Sequence, residues 1–361
     1  MKAQLYKICL AVFMSIGTIN AHENWKGKHT EEKTINKEFT VSSDALLKVN
    51  NSYGSINIAT YTGNKVLIEV HIKTNGNSPD KVKERLDDIN IDFSNTSSLV
   101  TAKTNIKKRS LSSWWNWGNN NNVNLEINYT IKLPITNSVN LDNSYGSIYL
   151  DTLEGKATIN CDYGKITTKE LLAENNLLTF DYTNNSYFEY INTGKIDADY
   201  SSFIVGKTKS LEVVADYTKS VIEIAEKLNY NCDYGSFTAN DVNHVKGNGD
   251  YLTLRLGNVY KSLEIEADYG SLKVDKLGTN VELVKINSNF VGITIGYHQD
   301  YEFRFKIDLE YASLKHPDTF NFEKKRVESF SKYYEGSVKN NNTRNHVVIN
   351  SDYGSITFKE N

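Results

Sequence analysis

A tyrosine returns every seventeen to nineteen residues through the middle of this chain, and that period narrows the available folds more than any other feature. Tyr145, Tyr163, Tyr182, Tyr200, Tyr217, Tyr234, Tyr251 and Tyr269 follow one another at intervals of 18, 19, 18, 17, 17, 17 and 18. From Tyr163 onward each is preceded by an aspartate, and glycine often follows it; Asn-Ser-Tyr-Gly-Ser-Ile stands at 51–56 and again at 143–148. A fixed period of this length is the signature of a solenoid, in which each repeat buries its apolar face only by stacking on its neighbours.

One unit shows the logic. Leu263, Ile265 and Ala267 alternate with Glu264, Glu266 and Asp268; then comes Tyr269-Gly-Ser, and then Leu272 and Val274 alternate with Lys273 and Asp275. Period two on both sides of a bend means two short strands per coil, each with one buried face. The expected fold is therefore all-β: a parallel β-solenoid of about 18 residues per coil, spanning 39–361. Phe290, Tyr311, Tyr334 and Tyr353 are expected to continue the column in chain order at a wider spacing. Thirteen rungs at ~4.8 Å would make a body about 60 Å long. Carrying the alternation through the bend favours tyrosines stacked inside, with glycine supplying a positive φ; facing outward, they would instead form a long aromatic strip suited to glycans.

Between Tyr53 and Tyr145 the period breaks for 92 residues. This insertion, at about 60–140, is expected to hold a β-hairpin and a short helix. Val66, Ile68, Val70 and Ile72 line one face of a strand; Ser78-Pro-Asp opens a helix with Val82, Leu86 and Ile89 on one side. Strands near 98–106 and 123–133 flank a hairpin tip that carries Trp114, Trp115 and Trp117. Those rings either fold back onto the sheet or form an exposed aromatic platform for a glycan, a partner protein or a membrane surface.

The first 21 residues read as a signal peptide, with Lys2 and Lys7 ahead of the apolar run Ile8–Ile19 and a small residue, Ala21, for cleavage. Residues 22–38 read as a linker. Removing Lys2 and Lys7 takes the formal charge from −3 to −5, and no basic run offsets it, which argues against a nucleic-acid partner. No later apolar run approaches the roughly twenty residues that cross a bilayer. Export to the periplasm, outer surface or medium is the expectation, and a monomer the expected state. Cys161 and Cys232 hold the same place in coils four rungs apart. At ~4.8 Å per rung they lie roughly 19 Å from each other, too far for a disulfide.

The feature most like a site is a column of carboxylates: Asp162, Asp181, Asp199, Asp216, Asp233, Asp250 and Asp268 fall at one position of successive coils. Neighbours stacked at ~4.8 Å repel by on the order of 1 kcal/mol even in water, so something must offset the charge. One answer is an Asx-turn in which each carboxylate caps its own bend. Another is Ca²⁺ held between successive aspartates. A third is catalysis by clustered aspartates on a polysaccharide. That requires one turn to differ from its neighbours, and the seven histidines are scattered without metal-ligand spacing. No nucleophile elbow, phosphate loop or zincin motif occurs. The sequence therefore reads as a non-enzyme with no cofactor, a binding or scaffolding protein whose alternatives are a Ca²⁺- or glycan-binding repeat module and a polysaccharide-active enzyme.

The motifs Asn51–Ile56, Tyr129-Thr-Ile-Lys-Leu-Pro134 and Asn143–Ile148, with the Tyr-Gly repeats that follow, resemble the bacterial putative-adhesin family of secreted β-solenoid proteins of unknown function. The resemblance runs from about Phe39 to the end. It implies a β-solenoid and an extracytoplasmic location and brings no binding residues to carry over; the expected partner, from the reading as a binding or scaffolding protein, is a protein or glycan at the cell envelope.

Overall fold

In a computed structural model, which describes residues 25–107 and 123–361, the chain winds as a two-faced β-solenoid. Successive coils pair in parallel and in register. Ser202–Asp216 runs beside Lys219–Asp233, which runs beside Ser236–Asp250, with equivalent residues opposite one another. Each such segment passes from one face of the coil to the other. Its apolar residues point inward at every second position, as with Phe203, Val205, Leu211, Val213 and Ala215 in one coil. They join a single core that runs the length of the stack, so that each coil is stabilised by its neighbours rather than by itself. Cys161 and Cys232 are buried free thiols, and burial pushes both up to about 12.

The insertion caps one end. Leu99–Ile106 and Asn124–Pro134 each extend the stack in parallel, the first against Leu46–Ser52 and the second against Ile56–Tyr61. They stand on opposite faces of the solenoid and, among the described residues, do not pair with each other. The hairpin of the insertion is instead Ile89–Asn95 with Leu99–Ile106. Lys65–Gly76 pairs antiparallel with Asn124–Pro134 on one side and with His29–Thr40 on the other. Part of the stretch read as linker is thus a full edge strand. The helix Pro79–Asp87 has Pro in its first turn and buries Val82 and Leu86 across this end. Residues 1–21, read from the sequence as a signal peptide, lie outside the described residues.

At the other end, order in space departs from order in sequence. His346–Asp352 and Ser355–Glu360, the last coil of the chain, slot between the coil Leu283–Tyr297 and the coil made of Phe303–Glu310 and Ser313–Lys315. Beyond Phe303–Glu310 lie two antiparallel strands, Ser331–Val338 and then Phe320–Val327. Tyr334, expected in the tyrosine column, is buried in the first of these. The edge strand carries Lys324, Lys325 and Arg326, charges of the kind that blunt an open sheet edge.

Candidate functional site

The tyrosines face outward. Twelve rings form one ladder in the order Tyr53, Tyr145, Tyr163, Tyr182, Tyr200, Tyr217, Tyr234, Tyr251, Tyr269, Phe290, Tyr353 and Tyr311. Successive centroids lie 4.6–5.3 Å apart with planes within 9° of parallel. Each ring remains between 43% and 54% exposed, which overturns the inward placement expected from the alternation. Phe330 leans on Tyr311 at 5.0 Å and ends the row. At the ~4.8 Å strand spacing, the strip is roughly 50 Å long.

The reversal comes from the bend. All twelve ring-bearing residues have φ between 49° and 63°, the left-handed region, whereas no glycine among the described residues has a positive φ. A non-glycine residue there costs ~1–2 kcal/mol, and the cost recurs at every coil. The residue after the ring points inward: Leu252, Val291 and Ala312 are buried at that position. Where it is glycine, the reason is close approach rather than φ. A Cβ on Gly146 would lie 1.9 Å from the carbonyl oxygen of Gly54, and one on Gly164 would lie 2.0 Å from that of Gly146. Thr183, Ser201 and Thr218 use their hydroxyls instead, each donating to the carbonyl of the aspartate two residues before it.

The seven predicted aspartates do form one column beside the ladder. Asn289, then Asp352 and Glu310, continue it at one end, and Ser144 and Ser52 at the other. Their offset is not an Asx-turn within each bend. The carboxylate reaches the next coil: Oδ1 of Asp181, Asp199, Asp216 and Asp233 accepts the backbone N–H of Asp199, Asp216, Asp233 and Asp250, at 2.7–3.1 Å. In the same bend each tyrosine N–H donates to the carbonyl of the next coil's aspartate, as from Tyr217 to Asp233. Partial burial, added to repulsion from neighbouring carboxylates, raises the pKa values of Asp162, Asp216 and Asp250. Among the described residues, no three His, Cys, Asp or Glu side chains converge as a metal-binding group.

Two residues before the aspartates, on the same outward face, runs a row that sequence reasoning missed. Asn248, Glu266, Asn287 and Asn350 lie in register, and Asn350 Nδ2 donates to Asn287 Oδ1 at 2.9 Å. With Asp250, Asp268 and Asp352 they line a shallow groove alongside the ladder. The signal was present as an asparagine or glutamate two positions ahead of the acid, but it carries no period-specific motif of its own. Trp114, Trp115 and Trp117 lie outside the described residues. The coil that brackets them stacks directly on the coil of Tyr53, where Ile127 N–H donates to the Tyr53 carbonyl.

No protein-family profile matches the chain, and no curated protein is similar to it. Solved structures are. One, described as a putative adhesin from Parabacteroides merdae, is 13% identical over 73% of this chain and 96% of its own, with a TM-score of 0.35. Another, a putative adhesin from Parabacteroides distasonis, is 10% identical over 72% and 96%, also with a TM-score of 0.35. A third, a putative cell adhesion protein from Clostridium sporogenes, is 13% identical over 92% and 100%, with a TM-score of 0.18. These neighbours carry the description that the Asn-Ser-Tyr-Gly-Ser-Ile motifs resemble; likeness this distant transfers no site and no ligand.

Proposed function

We propose that this chain is an exported, non-enzymatic binding protein, and that the ring ladder with its flanking groove is a linear docking strip for an uncharged polysaccharide of the cell envelope. The observation that carries this reading is the ladder itself: twelve aromatic residues held outward in a strained backbone conformation, coil after coil. Strain repeated at an exposed position points to a use beyond packing.

The stacking narrows the ligand. Ring faces along the row are occupied by neighbouring rings, so a ligand meets ring edges, phenolic hydroxyls and the amide and carboxylate row. Those groups hydrogen-bond to sugar hydroxyls, whereas eight aspartates and Glu310 in one column disfavour an anionic polymer. Each coil offers nearly the same contacts as the next, so affinity comes from many weak contacts along one chain. The same sameness supports a non-enzyme, because no acid stands apart from its neighbours to serve as a general acid or base.

Titration with neutral β-glucan oligosaccharides of increasing length tests the proposal. Affinity should climb with length and level off once the oligosaccharide spans the roughly 50 Å ladder. No binding at any length, or affinity independent of length, would remove it.

A further inference from the structure

The coil that is last in sequence is not last in space, and this has a structural consequence. After Leu283–Tyr297 the chain skips one strand's width, lays down Phe303–Glu310 and Ser313–Lys315, and builds two antiparallel strands outward. Only then do residues 346–360 return to fill the space left behind. Until they do, a gap one coil wide is bounded on both faces by unpaired strand edges: Leu283–Asn289 and Ile293–Tyr297 on one side, Arg304–Glu310 and Ser313–Lys315 on the other. Both edges run parallel to their missing neighbour. Such a gap is an acceptor for strand addition, with main-chain hydrogen bonds supplying affinity and inward side chains supplying register.

The segment that fills it is complete in itself. Val347, Ile349, Ile356 and Phe358 bury in the core, and Ser351 Oγ meets Ser288 Oγ at 3.0 Å. Tyr353 slides between Phe290, at 4.6 Å, and Tyr311, at 4.9 Å. Its link to the rest of the chain is only the stretch between Val338 and His346, which sit beside Phe303 and Arg304 on opposite sides of the same strand. That tether arcs around the strand's start, pinned by Asn340 and Asn345 on Glu302. Nothing in the gap distinguishes its own closing coil from that of another molecule. We infer that residues 346–360 are an exchangeable coil, and that the partner is a second copy of this chain, each copy donating its last coil to the other's gap in a closed dimer.

Two arms test this on the full chain. Deleting Asn340 to Asn345 leaves only Lys339 between Val338 and His346, a reach of ~7.6 Å against the ~9.6 Å that separates the strands on either side of Phe303–Glu310, so the coil can no longer close in its own molecule. Light scattering after chromatography should then give the mass of two chains. Adding Gly354→Val, whose Cβ would fall 2.2 Å from the Val291 carbonyl oxygen, should reduce the dimer at least tenfold. A monomer that melts like wild type overturns the inference, as does a dimer that survives Gly354→Val. Should the shortened chain not fold, the second arm decides. The full-length Gly354→Val protein, its own coil disabled, should capture a labelled peptide of residues 341–361 one to one and reject the same peptide carrying Gly354→Val. Failure to capture the wild-type peptide overturns the inference.

Discussion

Replacing Tyr217 by glycine and, separately, by alanine divides the two energies that meet at every ring of the ladder. Tyr217 sits mid-row at φ 52°, with Tyr200 and Tyr234 at 4.8 and 4.9 Å. Either substitution deletes two stacked pairs, each worth about 0.5–1.5 kcal/mol, for a loss of about 1–3 kcal/mol. Alanine also keeps the left-handed penalty of ~1–2 kcal/mol, which glycine relieves. Glycine gives back about 0.5–1 kcal/mol of that relief through the extra freedom of its unfolded chain. The glycine variant should therefore be the more stable of the two by about 0.5–1 kcal/mol, the reverse of the order at an ordinary strand position. Urea unfolding followed by circular dichroism gives the global difference. Because stability in a stack is local, native-state hydrogen exchange of the Tyr217 and Lys219 amides should show the same order. An alanine variant as stable as the glycine variant, or more so, would refute the claim that the rings are held outward against backbone strain.

Gly146→Ala drives a Cβ to within 1.9 Å of a backbone oxygen and should cost about 1–3 kcal/mol by urea unfolding, whereas Gly292→Ala, with open space around it and no positive φ to strain it, should stabilise by about 0.4–1 kcal/mol. Asp216 has a raised pKa from partial burial, with Asp199 and Asp233 adding repulsion, so the folded state holds its proton to higher pH than the unfolded state. Its contribution is then greatest at acid pH and is lost as pH rises through the unfolded and then the folded value. Asp216→Asn retains an Oδ1 acceptor for the Asp233 N–H and removes the charge; it should stabilise the protein at pH 7 and leave stability unchanged at pH 2, checked by melting at both. Tyr230 buries a hydroxyl with no hydrogen-bond partner among the described residues, beside Phe237, so Tyr230→Phe should raise stability by about 1 kcal/mol in the same denaturation assay.

The period, the two-strand coil, the inward apolar residues and the separation of Cys161 from Cys232 were legible because each follows from local spacing. The direction of the rings was not, because alternation was carried through a bend that does not conserve it. A left-handed residue turns its side chain to the same side as its predecessor, so Asp250 and Tyr251 both face out and Leu252 faces in. The corrective signal was in the sequence: Leu252, Val291 and Ala312 after the ring are apolar, which marks that position, and not the ring, as the inside one. The aspartates were found as a column, but the acceptor role of each toward the following coil depends on the stacked register, which no single repeat contains. The displaced last coil was illegible for a different reason. Residues 346–360 match the repeat as well as any coil does, and the period of a repeat gives its membership in the stack but not its place.

The ladder's role in binding is tested most directly by calorimetric titration of a neutral β-glucan dodecasaccharide into wild type and into the triple variant Tyr200→Asn, Tyr217→Asn, Tyr234→Asn. Asparagine accepts the left-handed backbone more readily than other residues that carry a Cβ, so the bends persist while three consecutive rings are lost. The account predicts at least a tenfold weaker affinity in a variant whose circular dichroism matches wild type. Equal affinity for both proteins would contradict it.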